Sequence, residues 1–416
     1  MLPERHIICI DLKSFFASCE CVERHLDPFK IDLVVANPHQ GKGAITLAIT
    51  PHLKAQGIKS RTRLYEIPKH IKYKIVPPRM SLYLKKSQEV VSIYLDYVAQ
   101  EDLHVYSVDE CFLDLTSYLK LYQKDEYAIA KDILMTIEKK TGLTATCGIG
   151  PNLLLAKLAM DIEAKKYKNG LAKWSYKDVP LKLWPITPLS KMWGIGPHME
   201  KRLNNLGIYS VGDLANYDLI KIKKQFGIMG EELWNHAHGI DLSVISDWQE
   251  TPKSSSYSHS QVLFKDYNGN NVKLIITEMI DVICTRLRKN NKQASLIGLG
   301  IGYSKTYGGG FYHHAKVNPT SSNQDFIDNC LDIFDRYYHD EPIRRVSIVA
   351  GNLSAKDSHQ LNLFENFQDF TANEKINDAI DKVHDKFGKN SLVKASSLLP
   401  DSTAIERNKK IGGHNA

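Results

Sequence analysis

The hydrophobic and polar positions at the start of the chain predict a strand followed directly by a helix. HIICIDL is a short apolar run that ends on an acid, and the apolar residues Phe15, Cys19 and Val22 after it have helical spacing. Asp11 is therefore expected where the strand ends and the helix is about to begin.

A compact α/β insertion is predicted next. The apolar run 33–36 meets the turn-rich NPHQGKG, and GAITLAIT then returns as a second strand. PHLKAQG begins with a proline, which suits the first turn of a helix.

The following hundred residues predict a ferredoxin-like sheet. Apolar positions recur helically over 83–98, and VYSVDECFLDLT then alternates as a strand, with a bend that puts Asp109 and Glu110 at an exposed corner. A helix over about 126–140, the strand LTATCGIG and a helix over 152–165 complete a βαββαβ-like order.

The second half of the chain predicts a helical region and another α/β unit. The Trp- and Pro-rich KLWPITPLSKMWGIG leads into an all-helical stretch that ends near residue 245. The polar SDWQETPKSSSYSHS is typical of a linker, and strands and helices alternate again over 261–353. The fold class is therefore α+β, in several domains.

Size and charge narrow the classes of function. A chain of 416 residues that is 43% hydrophobic can bury several cores, as about three or more domains would. The 54 Lys and Arg exceed the 47 Asp and Glu by seven, which favours a polyanionic partner. Residues 165–224 include twelve basic residues and only four acids, so the positive charge is concentrated in the helical region.

The cysteines and the apolar runs argue against other classes. Seven cysteines without a CxxC pair or metal-ligand spacing indicate reduced, mostly buried thiols. No stretch approaches the roughly 20 apolar residues of a membrane span, and the N-terminal apolar run is too short for a signal peptide. We expect a soluble cytoplasmic protein with no membrane partner.

Three acids are candidates for a metal site. Asp11, Asp109 and Glu110 would converge if the first strand and the later hairpin are neighbours in one sheet. Clustered carboxylates repel each other unless cations neutralise them, and Mg²⁺ prefers such oxygen ligands; three acids suit two ions about 3.5 to 4 Å apart. The alternative is that Asp11 is simply a helix N-terminal acid and Asp109-Glu110 a hairpin corner.

Four motifs in order make the chain resemble a known family. DLKSFFASCE, YSVDECFLDLT, GIGPNLLLAKLA and MWGIGPHMEKRLNNLGI resemble the Y-family translesion DNA polymerases. The C-terminal tail makes the chain look most like the UmuC-type branch of Gram-positive bacteria. The likeness covers residues 5 to about 410.

The resemblance implies a right-hand polymerase. Its parts would be a ferredoxin-like palm (1–20 and 76–165), small fingers (21–75), a helix-hairpin-helix thumb (166–245), a linker (246–252), an α/β little finger (253–353) and a tail (354–416). Such an enzyme adds dNTPs to a primer 3′-OH with two Mg²⁺ ions, and bypasses damaged template bases at low fidelity in DNA repair and the SOS response. The resemblance makes Asp11, Asp109 and Glu110 the metal-binding triad, with the Leu12 carbonyl as a further ligand and Ser107 beside them.

The resemblance also assigns the nucleotide contacts. Phe16, with Phe15 beside it, matches the steric gate that leaves no room for a 2′-OH, although both rings could simply pack in a core. Lys54 and Lys157 match triphosphate-binding positions. One departure is Pro51, which stands where many relatives carry tyrosine, so Thr50 beside it is a substitute triphosphate contact.

DNA contacts are expected in the thumb and the little finger. Gly194 and Gly196 form a turn whose backbone amides can approach a phosphate closely, and Lys201 and Arg202 would add contacts that do not depend on base sequence. Further basic residues that could follow the duplex are Lys253, Lys265, Arg286, Arg288, Lys289, Arg344 and Arg345.

The segment QLNLF resembles the peptide that binds the bacterial sliding clamp. Leu361, Leu363 and Phe364 would fill pockets on the clamp, and Gln360 would donate or accept a hydrogen bond. The alternative is a short strand or core segment. The tail beyond it could contact a UmuD-like or recombinase accessory protein.

Two other functions remain open at this point. One is a non-catalytic adaptor that binds DNA and the clamp on the same fold. The other is a different ferredoxin-like metal enzyme, such as a nucleotide cyclase, which would need neither a thumb nor QLNLF.

Overall fold

The computed structural model describes residues 2, 4–249, 255–356 and 367–415. The chain divides into two compact units, Met1–Thr251 and Pro252–Ala416. The clamp-like segment with Gln360, Leu361, Leu363 and Phe364, and also Lys253, lie outside the described residues.

The first unit contains eight strands among its described residues. They are β1 (Ile7–Leu12), β2 (Leu33–Val35), β3 (Ala48–Ile49), β4 (Lys74–Val76), β5 (Leu103–Val105), β6 (Glu110–Asp114), β7 (Ala145–Gly150) and β8 (Leu171–Lys173). The helices in the same part of the chain are α1 (Phe15–Val22), α2 (Pro51–Ala55), α3 (Met80–Leu95), α4 (Leu119–Tyr122), α5 (Glu126–Thr141), α6 (Leu153–Ile162), α7 (Pro197–Asn204), α8 (Val211–Ala215), α9 (Leu219–Phe226) and α10 (Ile228–Ala237).

The main sheet has the strand order β5-β6-β1-β7-β8. β1 is its central strand and pairs antiparallel with both β6 and β7, while β8 lies parallel to β7 at the edge. The strands β5, β6, β1 and β7 have the ferredoxin-like arrangement that the sequence predicted. β8 adds a fifth strand from residues that the sequence placed in the thumb.

Both faces of the main sheet are covered by helices. Alternate residues of β1 point to opposite sides, so Ile8 and Ile10 join the core under α3 and α5, whereas Ile7 and Cys9 pack against α6. Burying each large apolar side chain contributes about 1.5 to 3 kcal/mol. The central strand is therefore held firmly from both sides, which matters because it ends at the candidate site.

The predicted α/β insertion and the helical region are both present. A small sheet of order β3-β2-β4 carries α2, which begins with Pro51 as expected. Helices α7–α10 pack around a core that includes Trp174 and the outward side of α6. Two hydrogen bonds join the segment after α10 to the start of α6. Asn152 Nδ2 donates to the Gly239 carbonyl (2.8 Å), and the Leu154 amide donates to Asp241 Oδ2 (3.1 Å).

The second unit contains an antiparallel sheet of order β11-β10-β12-β9. Its strands are β9 (Tyr257–Tyr267), β10 (Lys292–Tyr303), β11 (Gly310–Thr320) and β12 (Ile343–Ala355), and its helices α11 (Gly269–Lys289) and α12 (Asn323–Tyr337) share a core with the sheet. The tail forms α13 (Phe367–Phe387), α14 (Ala404–Asn408) and a short hairpin of β13 (Lys410–Ile411) and β14 (His414–Asn415). The tail packs against α11, which the sequence did not predict.

The cysteines agree with the expectation of buried thiols. All seven cysteines are buried and free, and burial raises the pKa of every one of these thiols. Across the described residues, we find no helix whose length and apolar character would let it cross a bilayer.

Candidate active site

The register of the main sheet brings the three candidate acids together. Asp11 of β1 lies directly opposite Glu110 of β6, and the Leu12 amide donates to the Asp109 carbonyl at 2.9 Å. Residues directly opposite each other in an antiparallel pair have Cβ atoms only about 4.5 to 5.5 Å apart. Acids separated by about a hundred residues in sequence therefore meet at one sheet end, as the sequence predicted.

Burial and like charge act on these acids together. The pKa of Asp11 is raised to about 6, first by burial and then by the charges of Asp109 and Glu110, although Lys165 and Lys157 oppose the rise. A cation bound beside these acids would offset the repulsion among their negative charges.

Each carboxylate nevertheless has a partner within the protein. Glu110 Oε1 lies 2.5 Å from Lys157 Nζ and accepts from Cys9 Sγ at 3.2 Å. Asp109 Oδ1 accepts from Ser107 Oγ at 2.7 Å, and Asp11 Oδ2 lies 3.4 Å from Lys165 Nζ.

The part of the chain that the structure describes contains no group of three His, Cys, Asp or Glu residues in a metal-holding arrangement. The donor set itself fits Mg²⁺, because it consists of carboxylate oxygens beside a main-chain carbonyl. A cation at this site would have to draw the acids away from the two lysines.

Lys157 is largely buried between two carboxylates. Its side chain is 9% exposed and is held between Glu110 and Asp161, with Nζ 3.0 Å from Asp161 Oδ2. In this geometry its ammonium pairs with two carboxylates and can orient Glu110, and its contact with a triphosphate stays a prediction.

Lys165 is a residue that the sequence analysis missed. Its Nζ lies 2.7 Å from Asp161 Oδ1 and faces Asp11, and its side chain is 40% exposed. Burial lowers its pKa, but Asp11 and Asp161 outweigh this effect and the pKa is raised. The available signal was its position four residues after Asp161, at the same end of α6 as the acids; it was counted only as part of the basic segment.

The two predicted contacts in the small sheet differ in outcome. Solvent reaches Lys54, yet desolvation lowers its pKa, and the charges of Asp11, Lys165 and Asp109 also act on it. Lys54 therefore faces the acid cluster. Thr50 does not serve as predicted, because its fully buried hydroxyl donates to the Ile31 carbonyl at 2.7 Å and accepts from the Leu33 amide.

The two predicted gate phenylalanines are also separated by burial. Phe15 is buried in the core of the main sheet and cannot reach a sugar, so its assignment is corrected. Phe16 is only partly buried, and its ring stacks on Tyr83 with centroids 4.5 Å apart and an interplanar angle of 16°. One side of the Phe16 ring thus has a flat aromatic support.

The predicted turn before α7 is open to solvent. Gly194 has a φ of +91°, which favours glycine, and an added Cβ at Gly196 would meet no atom within 4 Å. Lys201 and Arg202 are exposed on α7, and the Arg202 guanidinium lies 4.5 Å from the Phe226 ring centroid. The turn and both basic residues are therefore accessible.

Most of the basic residues of the second unit that were proposed to bind DNA instead contact other residues of that unit. Arg288 binds Asp381 of the tail at 2.7 Å, Lys289 pairs with Asp385, and Lys265 lies 2.6 Å from Asp401. Two more pack locally: Arg286 stands over the Tyr257 ring, and Arg344 pairs with Asp266. Of those seven residues, Arg345 stays on the outer face of the sheet, where it donates to Ser260 Oγ at 2.9 Å.

That outer face has a floor of glycines. Gly298, Gly300 and Gly302 occupy alternate positions of β10, and the side chains of Tyr312 and Arg345 extend over them, so that an added Cβ would lie 2.5 to 3.3 Å from them. Glycine at these positions leaves the room that the Tyr312 and Arg345 side chains occupy. The signal for this pattern in the sequence is the alternation GLGIG over 298–302, which a search for positive charge does not detect.

Comparison with known proteins decides the family. Residues 10–161 match the model of the impB/mucB/samB family, 254–363 its C-terminal domain and 176–208 its HHH motif. UvrX of Bacillus subtilis (strain 168), a protein provisionally named for UV-damage repair, is 40% identical over all of this chain and 98% of its own length.

The chain belongs to the impB/mucB/samB family of Y-family DNA polymerases. DNA polymerase IV 2 of the same organism is 32% identical over the full length of both chains. DNA polymerase IV 2 of Halalkalibacterium halodurans is 30% identical over 99% of each chain. The family assignment agrees with the predicted resemblance to polymerases of Gram-positive bacteria, and with the predicted α+β fold.

Within the Y-family chain, the matched regions coincide with the sites described above. The first match includes β1, α1, β6 and α6, which carry the acids, Phe16 and Lys157. The HHH motif includes the Gly194 turn and the basic residues of α7.

Proposed function

We propose that this DNA polymerase adds dNTPs to a primer 3′-OH at the acid cluster and copies damaged template bases. The proposal depends above all on the cross-strand pair of Asp11 and Glu110 with Asp109 beside it, because that arrangement gathers three carboxylates at one buried sheet end. The likeness to UvrX and to the DNA polymerase IV proteins supports the bypass role, and an SOS-regulated response to DNA damage is part of the proposal.

Two Mg²⁺ ions are proposed as cofactors. When bound, they would lower the pKa of the attacking hydroxyl and stabilise charge on the triphosphate and its leaving oxygen. Asp11, Asp109, Glu110 and the Leu12 carbonyl would hold them. Ser107 orients Asp109 through the 2.7 Å hydrogen bond, and Lys157 with Cys9 orients Glu110.

The nucleotide is proposed to lie between the small sheet and the main sheet. Lys54 and Lys165 would bind the triphosphate as point charges, since both face the acid cluster and solvent reaches both. Phe16 would exclude a 2′-OH, which makes dNTPs rather than NTPs the substrate.

DNA and the sliding clamp are the proposed macromolecular partners. The Gly194–Gly196 turn with Lys201 and Arg202 would bind one stretch of phosphates, and Arg345 on the outer face of the second unit's sheet would bind another. The clamp would bind Gln360, Leu361, Leu363 and Phe364, and an accessory protein would bind elsewhere.

Primer extension tests the site directly. Wild-type protein should extend a primer with Mg²⁺ on intact and lesion-bearing templates, and the double variant Asp109→Ala/Glu110→Ala should not. Asp114→Asn is a matched control, because Asp114 lies on the same strand β6 but bonds the Thr116 amide instead of joining the cluster.

Either of two results would contradict the proposal. Synthesis that survives the double substitution would remove the acids from the reaction. A wild-type protein that binds DNA and clamp but never extends the primer would instead favour the non-catalytic adaptor.

A further inference from the structure

A buried carboxylate stands behind the proposed steric gate. Glu20 lies one helical turn after Phe16 on α1, and its side chain is 0% exposed. It lies outside the acid cluster and takes no part in the proposed chemistry. A fully buried carboxylate is costly unless it is paired and hydrogen-bonded, so its partners indicate what it does.

The partners of Glu20 include the aromatic ring that supports Phe16. The Tyr83 hydroxyl donates to Glu20 Oε1 at 2.7 Å. Arg79 donates to both carboxylate oxygens, at 3.0 and 2.7 Å, and Arg24 of the same turn also donates to Oε2. Burial raises the pKa of Glu20, but the hydrogen bonds from Arg79, Tyr83 and Arg24 outweigh this effect and lower it.

This network, together with the stacking on Phe16, holds the Tyr83 ring in one orientation. Its hydroxyl is tied to Glu20, its faces are buried, and Phe16 stacks on it at 4.5 Å. A hydrogen-bonded buried phenol has little freedom to tilt. Any shift of Tyr83 would pass directly to Phe16, because the two rings are nearly parallel.

We propose that Glu20 is a positioning residue for sugar selection, acting on Phe16 through the hydroxyl and ring of Tyr83. The inference rests on the proposed gate function of Phe16. Steric rejection of one hydroxyl depends on sub-ångström placement of the gate ring, so loosening its support admits the 2′-OH without removing the gate.

The test compares dNTP with the matching rNTP in single-nucleotide primer extension, as the ratio of the two kcat/KM values. Glu20→Gln keeps the volume of the side chain and Tyr83→Phe keeps the stacked ring, yet both remove the charge-assisted hydrogen bond. Each should lower the preference for dNTP roughly three- to thirtyfold, in line with the cost of small misplacements near a reacting centre. The double variant should be no worse than the stronger single variant, because both act on one contact.

Glu23→Gln is the matched control. Glu23 is an acid at the end of the same helix and pairs with Lys86 of α3, but it does not contact Tyr83. It should keep the wild-type ratio. A purely structural role for Glu20 would slow both nucleotides equally and leave the ratio unchanged, which would overturn the proposal.

Phe16→Ala distinguishes failure of this proposal from failure of the proposed gate function of Phe16. If Phe16→Ala loses discrimination while Glu20→Gln and Tyr83→Phe keep it, the gate stands and the positioning role is wrong. If Phe16→Ala itself keeps discrimination, the gate assignment fails and Glu20 loses its role with it. Should Glu20→Gln not fold, Tyr83→Phe alone decides, and a wild-type ratio in that variant contradicts the proposal.

Discussion

Two lysines next to the acid cluster differ in burial, and the difference suggests different roles. Lys157 is enclosed by Glu110 and Asp161, whereas Lys165 keeps 40% of its side chain in solvent while facing Asp11. An ammonium that solvent can reach is able to exchange its carboxylate partner for an incoming polyphosphate. A buried ammonium that is already paired with two carboxylates is placed to orient those neighbours.

We therefore predict that Lys165→Ala raises the KM for dNTP by about 10- to 100-fold, the cost of one hydrogen bond to a charged group, with a smaller change in kcat. Lys157→Met should instead lower kcat, since it releases Glu110. Steady-state primer extension measures both constants. The exposed neighbour Lys166 supplies the control Lys166→Ala, which should leave the KM unchanged; equal effects of Lys165→Ala and Lys166→Ala would argue for a general loss of positive charge.

At the scale of elements, β7 and α6 pack against each other with almost no space between their backbones. A Cβ added at Gly148 would lie 2.1 Å from the Ala156 carbonyl oxygen and 2.2 Å from the Met160 amide nitrogen. Both of those atoms belong to the helix backbone and cannot move aside as a side chain would. Glycine at this position lets α6 lie directly on the sheet and so places Lys157 beside Glu110.

Gly148→Ala should therefore destabilise the first unit by about 3 kcal/mol or more, as overpacking against backbone does. Urea unfolding followed by tryptophan fluorescence measures the change, because all five tryptophans lie in this unit. Gly43→Ala is the control, since a Cβ there meets no atom within 4 Å and should change stability little. A Gly148→Ala variant as stable as Gly43→Ala would mean that α6 can move away from the sheet freely.

Elements were easier to predict from the sequence than the contacts of single side chains. β1, β6 and β7 carry strong apolar runs, so the central strands and the meeting of the three acids follow from periodicity and strand order. β8 has three residues and no pattern of its own, and pairs only because β7 offers a free edge. Thr50 shows the same limit, because a hydroxyl finds its hydrogen-bond partners only after the chain has folded.

At the scale of the whole molecule, the tail is part of the second unit and not a separate appendage. Besides the pairs of Arg288 and Lys289 with tail acids, buried Glu278 of α11 accepts from the Thr403 amide at 3.1 Å. The contacts are mainly polar and charged, so the seam should respond to pH and ionic strength more than an apolar core would.

His259 of β9 is one residue through which pH should change the stability of the second unit. Its pKa is lowered from 6.5 to about 4, first by burial and then by Arg407 and Lys389 of the tail. The ring is neutral in the folded unit, while an unfolded chain binds a proton below about pH 6.5, so this contribution to stability is complete above that pH and is lost as the pH falls towards 4.

Between pH 7 and pH 5 the opening free energy of α11 and α13 should therefore fall by about 1 to 2 kcal/mol, after allowing for screening of a partly exposed ring. Hydrogen exchange with peptide resolution measures it. His259→Gln should flatten the slope, whereas the exposed control His339→Gln should keep it. The same pH slope in the His259→Gln variant would rule out this histidine as the cause.

The seven buried cysteines make the protein its own reporter of opening. A thiol reacts with a disulfide reagent as its thiolate, and burial keeps these thiols protonated and out of reach. A buried thiol can react only after the surrounding core opens, so the rate of modification measures the rate of opening. Cys284 and Cys330 report on the second unit and the other five cysteines on the first, so both units can be followed in one sample without an engineered label.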